Sequence, residues 1–571
     1  MTFCRRWPPP RHSQFVETRF DRGEERKSGS RCEAGLNGVF SGEGIERARR
    51  PVYDLVRESR SRFRTNAGGS GMIKGLMGAG LALAVAAMAG MAAAGEIQVT
   101  GGKIRGIDEP DGSHLYFGIP YAAPPLGALR WRPPAPVVPW TGLRDATRPP
   151  SPCIQADEGW NAADVAKGRE DCLYLSVHVP AYAAGRRLPV LFWIHGGSNR
   201  AGSGYGTAES PIYQKGLIVV SIEYRLGVFG FLASPELTEE SPRHASGNYA
   251  LMDQMAALRW VHDNIAAFGG DPARVTVAGQ SAGAMDIAML LRSPLARGLF
   301  SAVIQESGSL PQPRTATDNE MIGRALMNKL GVTTLDRLRE VPASELMTAT
   351  ATMSPPGSDN HDLLWVQSSS DGWILQASAN DLYHNGDQAP VPLLLGDNSR
   401  EFGAPNDLAT VRGLIARNFK SNAAAADHLY GVDGDVLPPD DPVLGSVANQ
   451  VVSDFVFRCP VNQEASWQLK LGQPTWRYVF GVPQPGTKEV AHSTELAYVF
   501  GAAPKDATFG SWPPVLEYWA NFVKSHDPNG PGLPKWPAMG KTAAYIDLTP
   551  DGPRLGHEWR VAQCRLFVGA Q

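Results

Sequence analysis

The stretch Val275-Thr276-Val277-Ala278-Gly279-Gln280-Ser281-Ala282-Gly283 narrows the folds open to this chain more than any other. Four β-prone residues run into Gly-x-Ser-x-Gly, and an apolar run from Ala284 to Leu291 follows. That order reads as strand, tight turn, helix. A serine at such a turn takes up a strained backbone, and a side chain at Gly279 or Gly283 would collide with the neighbouring strand or helix. The hydroxyl then stands above a sheet, with the Ala282 amide at the N-terminus of the next helix. Ser281 is the candidate nucleophile, weighed against a plain surface turn, which most bare matches to this pattern are.

The surrounding pattern supports an α/β reading. Residues 97–107 alternate like a strand, and Pro-rich connections follow through Pro150. Leu173 to Val179 reads as a strand. Leu188 to Ile194 is a continuous apolar run, as in a strand buried on both faces of a mostly parallel sheet. It opens into His195-Gly196-Gly197-Ser198-Asn199, where a glycine pair lets backbone amides turn toward an anion. Gly216 to Tyr224 is another buried strand, and residues 248–268 have helical apolar spacing. Further strands are expected at Ala302–Ile304, Val391–Gly396 and Arg477–Phe480, with a less regular helical region over 315–390. Trp365 and Trp373 in that region are read as core rather than pocket wall. Strands alternating with helices predict reactive residues at the carboxyl edge of the sheet.

The front of the chain is different in kind. Residues 1–71 hold fourteen Arg, one Lys and nine acidic residues, a net of +6, with little apolar periodicity; they are read as a disordered extension upstream of a start at Met72. Residues 72–94 combine one lysine, an apolar run and Ala92-Ala93-Ala94, the pattern of a secretory signal peptide cleaved after Ala94. A membrane anchor is the alternative, but so much Ala and Gly would span a bilayer poorly. Residues 95–571 then form the exported domain, secreted or periplasmic. That domain carries 38 basic and 48 acidic residues, a net of −10, which argues against nucleic acid or anionic lipid as partner. Cys153, Cys172, Cys459 and Cys564 lie in it, an even number suited to disulfides in an oxidising compartment, with three pairings open. With neither Cys-x-x-Cys nor His-Glu-x-x-His present, no metal and no cofactor are expected.

A serine nucleophile needs a base, and the base needs a carboxylate to fix its tautomer. In chain order Ser, acid, His, the candidate bases are His361, His384, His428, His492, His526 and His557, and both Asp397 and Glu401 sit at a strand exit. The residues alone leave that pair open.

The chain resembles the type-B carboxylesterases, which include lipases and cholinesterases, from about Gly102 to Phe567. The resemblance rests on Phe117-Gly118-Ile119-Pro120-Tyr121-Ala122, Glu170-Asp171-Cys172-Leu173-Tyr174-Leu175 and Trp193-Ile194-His195-Gly196-Gly197. It continues through Gly247-Asn248, Asp253-Gln254 and Phe268-Gly269-Gly270-Asp271-Pro272 to the nucleophile motif. It implies an α/β-hydrolase fold: a large, mostly parallel central sheet flanked by helices, with helical insertions forming the pocket. It implies a Ser281–Glu401–His492 triad acting on a small-molecule ester through an acyl-enzyme, and an oxyanion hole of the Gly197, Ser198 and Ala282 amides. Glu495 is implied as an acid behind the histidine, with Ser307 in the related Glu306-Ser307-Gly308 block. Disulfides Cys153–Cys172 and Cys459–Cys564 are implied as well. An amidase or a lipase with the same triad is the alternative, and a non-catalytic adhesion protein the reading from another class.

Three departures from the family pattern stand out. Ser198-Asn199 replaces Gly-Phe or Ala-Phe, which predicts a more polar pocket wall. Gln280 stands where cholinesterases carry an acid, removing a charge that favours cationic substrates. Arg400 and Phe402 flank Glu401, which predicts a positive charge near the pocket. No stable membrane insertion is expected once the signal is cleaved, and the sequence leaves the oligomeric state open.

Overall fold

The computed structural model describes residues 95–568 apart from 184, 309–312, 354–367, 378–380, 382–384, 485–486 and 502–514. The expected extension and export signal over 1–94 lie outside the described residues, as do His361, Trp365 and His384.

An eleven-stranded sheet forms the centre. Its strands in chain order are β1 (Ile107–Asp108), β2 (His114–Pro120), β3 (Tyr174–Val179), β4 (Leu188–Ile194), β5 (Ile218–Ile222) and β6 (Gly270–Gln280). They continue with β7 (Ala302–Glu306), β8 (Leu393–Asn398), β9 (Thr475–Phe480), β10 (Ala544–Thr549) and β11 (Gly552–His557). Across the sheet the order is β11-β10-β9-β8-β7-β6-β4-β5-β3-β2-β1. From β5 to β10 neighbours are parallel. The edges, β3 to β1 on one side and β11 on the other, run antiparallel. The expected strand at 97–107 is broken into Glu96–Val99, Gly102–Arg105 and β1, the first two pairing in a small separate sheet.

Every residue of β4, β5, β8 and β9 is buried, as expected of central strands whose two faces are both covered by helices; the apolar run is unbroken in β4, while β8 and β9 carry the buried Asp397 and Arg477. Successive side chains of a strand point to opposite faces, and the sheet divides its core accordingly. Val190, Phe192 and Ile194 join Leu251, Met255, Leu258 and Val261 of α1 (Tyr249–Asn264). Leu191 and Trp193 join Tyr518, Trp519, Phe522 and Val523 of a helix over Val515–Ser525. The 315–390 region contributes helices Ala316–Leu330, Leu335–Glu340 and Ala343–Ala351. Trp373 is partly buried against the larger core, as expected of core rather than wall.

Two disulfides close the fold, Cys153–Cys172 and Cys459–Cys564, with Cα atoms 5.0 and 4.9 Å apart, inside the usual range. They fit an oxidising compartment. Among the described residues no helix is long and apolar enough to cross a membrane.

Candidate active site

The sheet delivers four loops to its carboxyl edge: one after β4, carrying His195-Gly196-Gly197, and three after β6, β7 and β8, carrying Ser281, Ser307 and Glu401. Ser281 sits between β6 and α2 (Ala282–Arg292) with φ 56° and ψ −124°. A non-glycine residue in so sparsely populated a region is held there only by its surroundings. Here the Ser281 amide donates to the Glu306 carbonyl at 2.8 Å. The flanking glycines are a matter of close approach: a Cβ on Gly279 would lie 2.8 Å from the Ile194 carbonyl oxygen, and one on Gly283 2.2 Å from the same atom. The β4 exit therefore packs directly against the serine turn.

Glu401 and His492 meet at 2.6 Å, Oε2 to Nδ1, both nearly inaccessible to solvent. The other carboxylate oxygen accepts the Asn398 amide and the Ser307 hydroxyl, each at 2.7 Å. Burial pushes the Glu401 carboxyl up to about 7, against the pull of these hydrogen bonds. Glu495 reaches the pair indirectly: it accepts from Asn398 Nδ2 at 2.5 Å, and Asn398 in turn supports Glu401. Glu306 is buried nearby, accepting from Trp519 Nε1 at 2.7 Å; desolvation and the neighbouring Glu495 raise its carboxyl well above the usual range.

His492 Nε2 faces the side-chain amide of Gln280 at 3.2 Å, so the imidazole reaches the nucleophile turn at the residue before Ser281. Sequence reasoning missed two aromatic rings that pack on this imidazole, Phe402 at 4.4 Å and Phe457 at 5.0 Å between centroids. Phe402 was visible as a departure beside Glu401, while nothing in the sequence pointed to Phe457.

The competing candidates are engaged elsewhere. Asp397 is fully buried and paired with Arg477, with Arg458 at 3.8 Å. His428 is exposed against Asp433, His526 bonds Ser301, and His557 is exposed beside the Thr542 carbonyl. Two expectations about polarity are corrected. Asn199 is buried and turned into the protein rather than lining a wall, because its side chain is held by Tyr224 and Asp286. Arg400 directs its guanidinium at the Pro442 and Val443 carbonyls, so its charge is drawn into that loop and away from Glu401.

Gly197, with φ 107°, leads a left-handed pair, Ser198 (φ 56°) and Asn199 (φ 53°). A Cβ on Gly197 would lie 2.1 Å from the Ala201 carbonyl oxygen, so only glycine fits. Among the described residues the amides of Gly197, Ser198 and Ala282 have no hydrogen-bond acceptor. The Ser281 amide, committed to Glu306, is unavailable to a ligand. A cavity of about 610 Å³ lined by Phe117, Arg144, Arg169 and Tyr174 contains none of these residues.

Residues 93–567 match the model of the carboxylesterase family. The chain is 32% identical to pyrethroid hydrolase Ces2e of Rattus norvegicus, over 79% of this chain and 84% of that protein. It is 35% identical to the fumonisin B1 esterase of Sphingopyxis macrogoltabida, over 67% and 71%. Among solved structures it is similar to a PNB esterase, with TM-score 0.70 and 31% identity over 83% of this chain and 99% of that one.

Proposed function

The chain belongs to the carboxylesterase family and is a carboxylic ester hydrolase, and on that premise we propose that it works through Ser281, His492 and Glu401 by way of an acyl-enzyme. The observation that carries this reading is the 2.6 Å bond between Glu401 and His492 Nδ1 beside the strained Ser281 turn. With Glu401 ionised, Nδ1 holds the proton and Nε2 is left as the acceptor a serine hydroxyl requires. Catalytic hydrogen bonds tighten in the Michaelis complex, where this acceptor serves Ser281 Oγ. Nε2 takes the Ser281 proton as Oγ attacks the ester carbonyl. The Gly197, Ser198 and Ala282 amides receive the negative charge that appears on the carbonyl oxygen only in the transition state. Collapse expels the alcohol, protonated by His492, and a water activated by the same imidazole then releases the acid.

The substrate is an uncharged ester: Gln280 puts no charge beside the nucleophile, and Arg400 is turned away from it. Hydrolysis of p-nitrophenyl esters of graded acyl length, by the wild type and by Ser281→Ala, tests the proposal. Activity on at least one ester that vanishes in the variant is expected; activity kept by the variant refutes it. Residues 72–94 are read as an export signal, and the mass of the exported product should begin at Gly95.

A further inference from the structure

Two successive non-glycine residues in left-handed backbone, Ser198 and Asn199, persist only where the surroundings over-determine them. The Asn199 side chain is where that determination occurs. Its Oδ1 accepts from the Tyr224 hydroxyl at 3.1 Å and its Nδ2 donates to Asp286 at 2.9 Å, while its carbonyl accepts the Gly227 amide at 2.7 Å. The same Tyr224 hydroxyl reaches the His195 carbonyl at 2.8 Å, so both ends of the loop from 195 to 199 are gripped. Asp286 lies five residues past Ser281, fully buried in the otherwise apolar start of α2. Its second oxygen accepts from Gln254 Nε2 at 2.5 Å. Burial pushes its carboxyl up to about 7. A buried carboxylate without a cation is costly, and the apolar residues around it in α2 would pack there without that cost.

We propose that Asp286, acting through Asn199, holds the Gly197 and Ser198 amides in register with the developing oxyanion, so that both are positioning residues for ester cleavage. This rests on the oxyanion reading given above. The donor and acceptor pattern is directional. Asn199 accepts from one neighbour and donates to the next, and both partners of Asp286 are donors, which a carboxylate satisfies. An amide there still holds Asn199 once Gln254 turns over to offer its unpartnered Oε1, whereas a leucine in place of Asp286 leaves Asn199 Nδ2 without its acceptor.

The pair can be reversed. In Asn199→Asp/Asp286→Asn the carboxylate at 199 accepts from Tyr224 and from the amide at 286, whose oxygen accepts from Gln254, so each of these contacts is kept with the 199–286 bond reversed. With p-nitrophenyl butyrate at about pH 8, above the Asp286 value, Asp286→Leu should lower kcat by about tenfold to a hundredfold, short of losing a donor outright. KM should change less than about threefold, since the contact matters in the transition state. Asn199→Asp alone, which sets two carboxylates face to face, should fall further. The reversed pair should recover kcat to within about threefold of wild type. A purely structural role would move thermal unfolding without this split of kcat from KM. Wild-type kcat in Asp286→Leu, or a reversed pair no more active than Asn199→Asp, overturns the proposal. A reversed pair that does not fold also overturns it, because it keeps every contact the wild type makes there. If either single variant does not fold, the reversed pair measured against wild type decides. Ser281→Ala run alongside separates the two readings: activity retained there sinks the nucleophile assignment, whatever residues 199 and 286 do.

Discussion

On the acid side of the site, Asp397, Asp454, Arg458 and Arg477 interlock almost without solvent access, and Arg560 closes the cluster onto Asp454. On the oxyanion side, Tyr224, Asn199, Asp286 and Gln254 form a chain of polar groups whose one carboxylate is held by amides alone. Each side also has its own disulfide. Cys459 follows Arg458 directly, whereas Cys153 begins the loop whose Gln155 bonds both the amide and the carbonyl of Gly202. The difference teaches what each side must tolerate. The acid side must hold Glu401 against the imidazole through turnover, and rigid ion pairs around the strand exit suit that. The oxyanion side must present bare amides to a charge that exists only briefly, and a nearby fixed cation or mobile anion would bias the ground state as well.

The sharpest way to break this comparison is to change two carboxylates that leave the same strand four residues apart. Glu401→Gln should lower kcat about 10⁴-fold, roughly 5 kcal/mol of barrier, because an amide N–H facing Nδ1 forces the tautomer whose Nε2 cannot accept the serine proton. Steady-state kinetics on a p-nitrophenyl ester reads this. Removing the disulfide of the acid side, Cys459→Ser/Cys564→Ser, opens a loop of 105 residues and should cost about 5 kcal/mol of stability, against about 3 kcal/mol for the 19-residue loop of Cys153–Cys172. Urea unfolding midpoints compare the two, and equal losses would contradict the loop-length argument. Asp397→Asn leaves Arg477 and Arg458 buried with one partner fewer and should destabilise by about 3–5 kcal/mol, with kcat of the folded enzyme nearly unchanged. A large fall in kcat there instead would mean that Asp397, not Glu401, serves the imidazole.

Much of this was legible in the sequence, and unevenly so. The runs at Leu188–Ile194 and Val275–Gly279 announce central strands because both faces are covered, and the glycines of the serine turn follow from close approach to Ile194. The choice between Asp397 and Glu401 was not legible in the residues alone. It depends on Arg477 from β9 and Arg458 from a helix, which the fold, not the spacing, brings to Asp397. Asn199 was visible as a departure but misread as pocket wall, since its partners Tyr224, Gly227 and Asp286 are distant in the chain. The one clue was an aspartate inside the apolar run after Ser281.

The smallest effect expected is also the one that distinguishes chemistry from stability within the acid side. Burial raises the Glu401 carboxyl from its ordinary value of 4.5 to about 7, so over that window the folded protein binds a proton that the unfolded chain has released. The contribution to stability is therefore fully present below 4.5 and lost as pH rises through about 7. Activity runs the other way, because the imidazole needs the ionised carboxylate. kcat/KM should climb about tenfold per pH unit below about 7 and level off above it. Glu401→Gln should remove one group's share of the stability loss between pH 4.5 and 7, measured by thermal unfolding, together with the limb in the residual rate. Were the limb to survive in that variant unchanged, the ionisation controlling turnover would belong to another group, and the acid side would owe its pH response to its structural carboxylates instead.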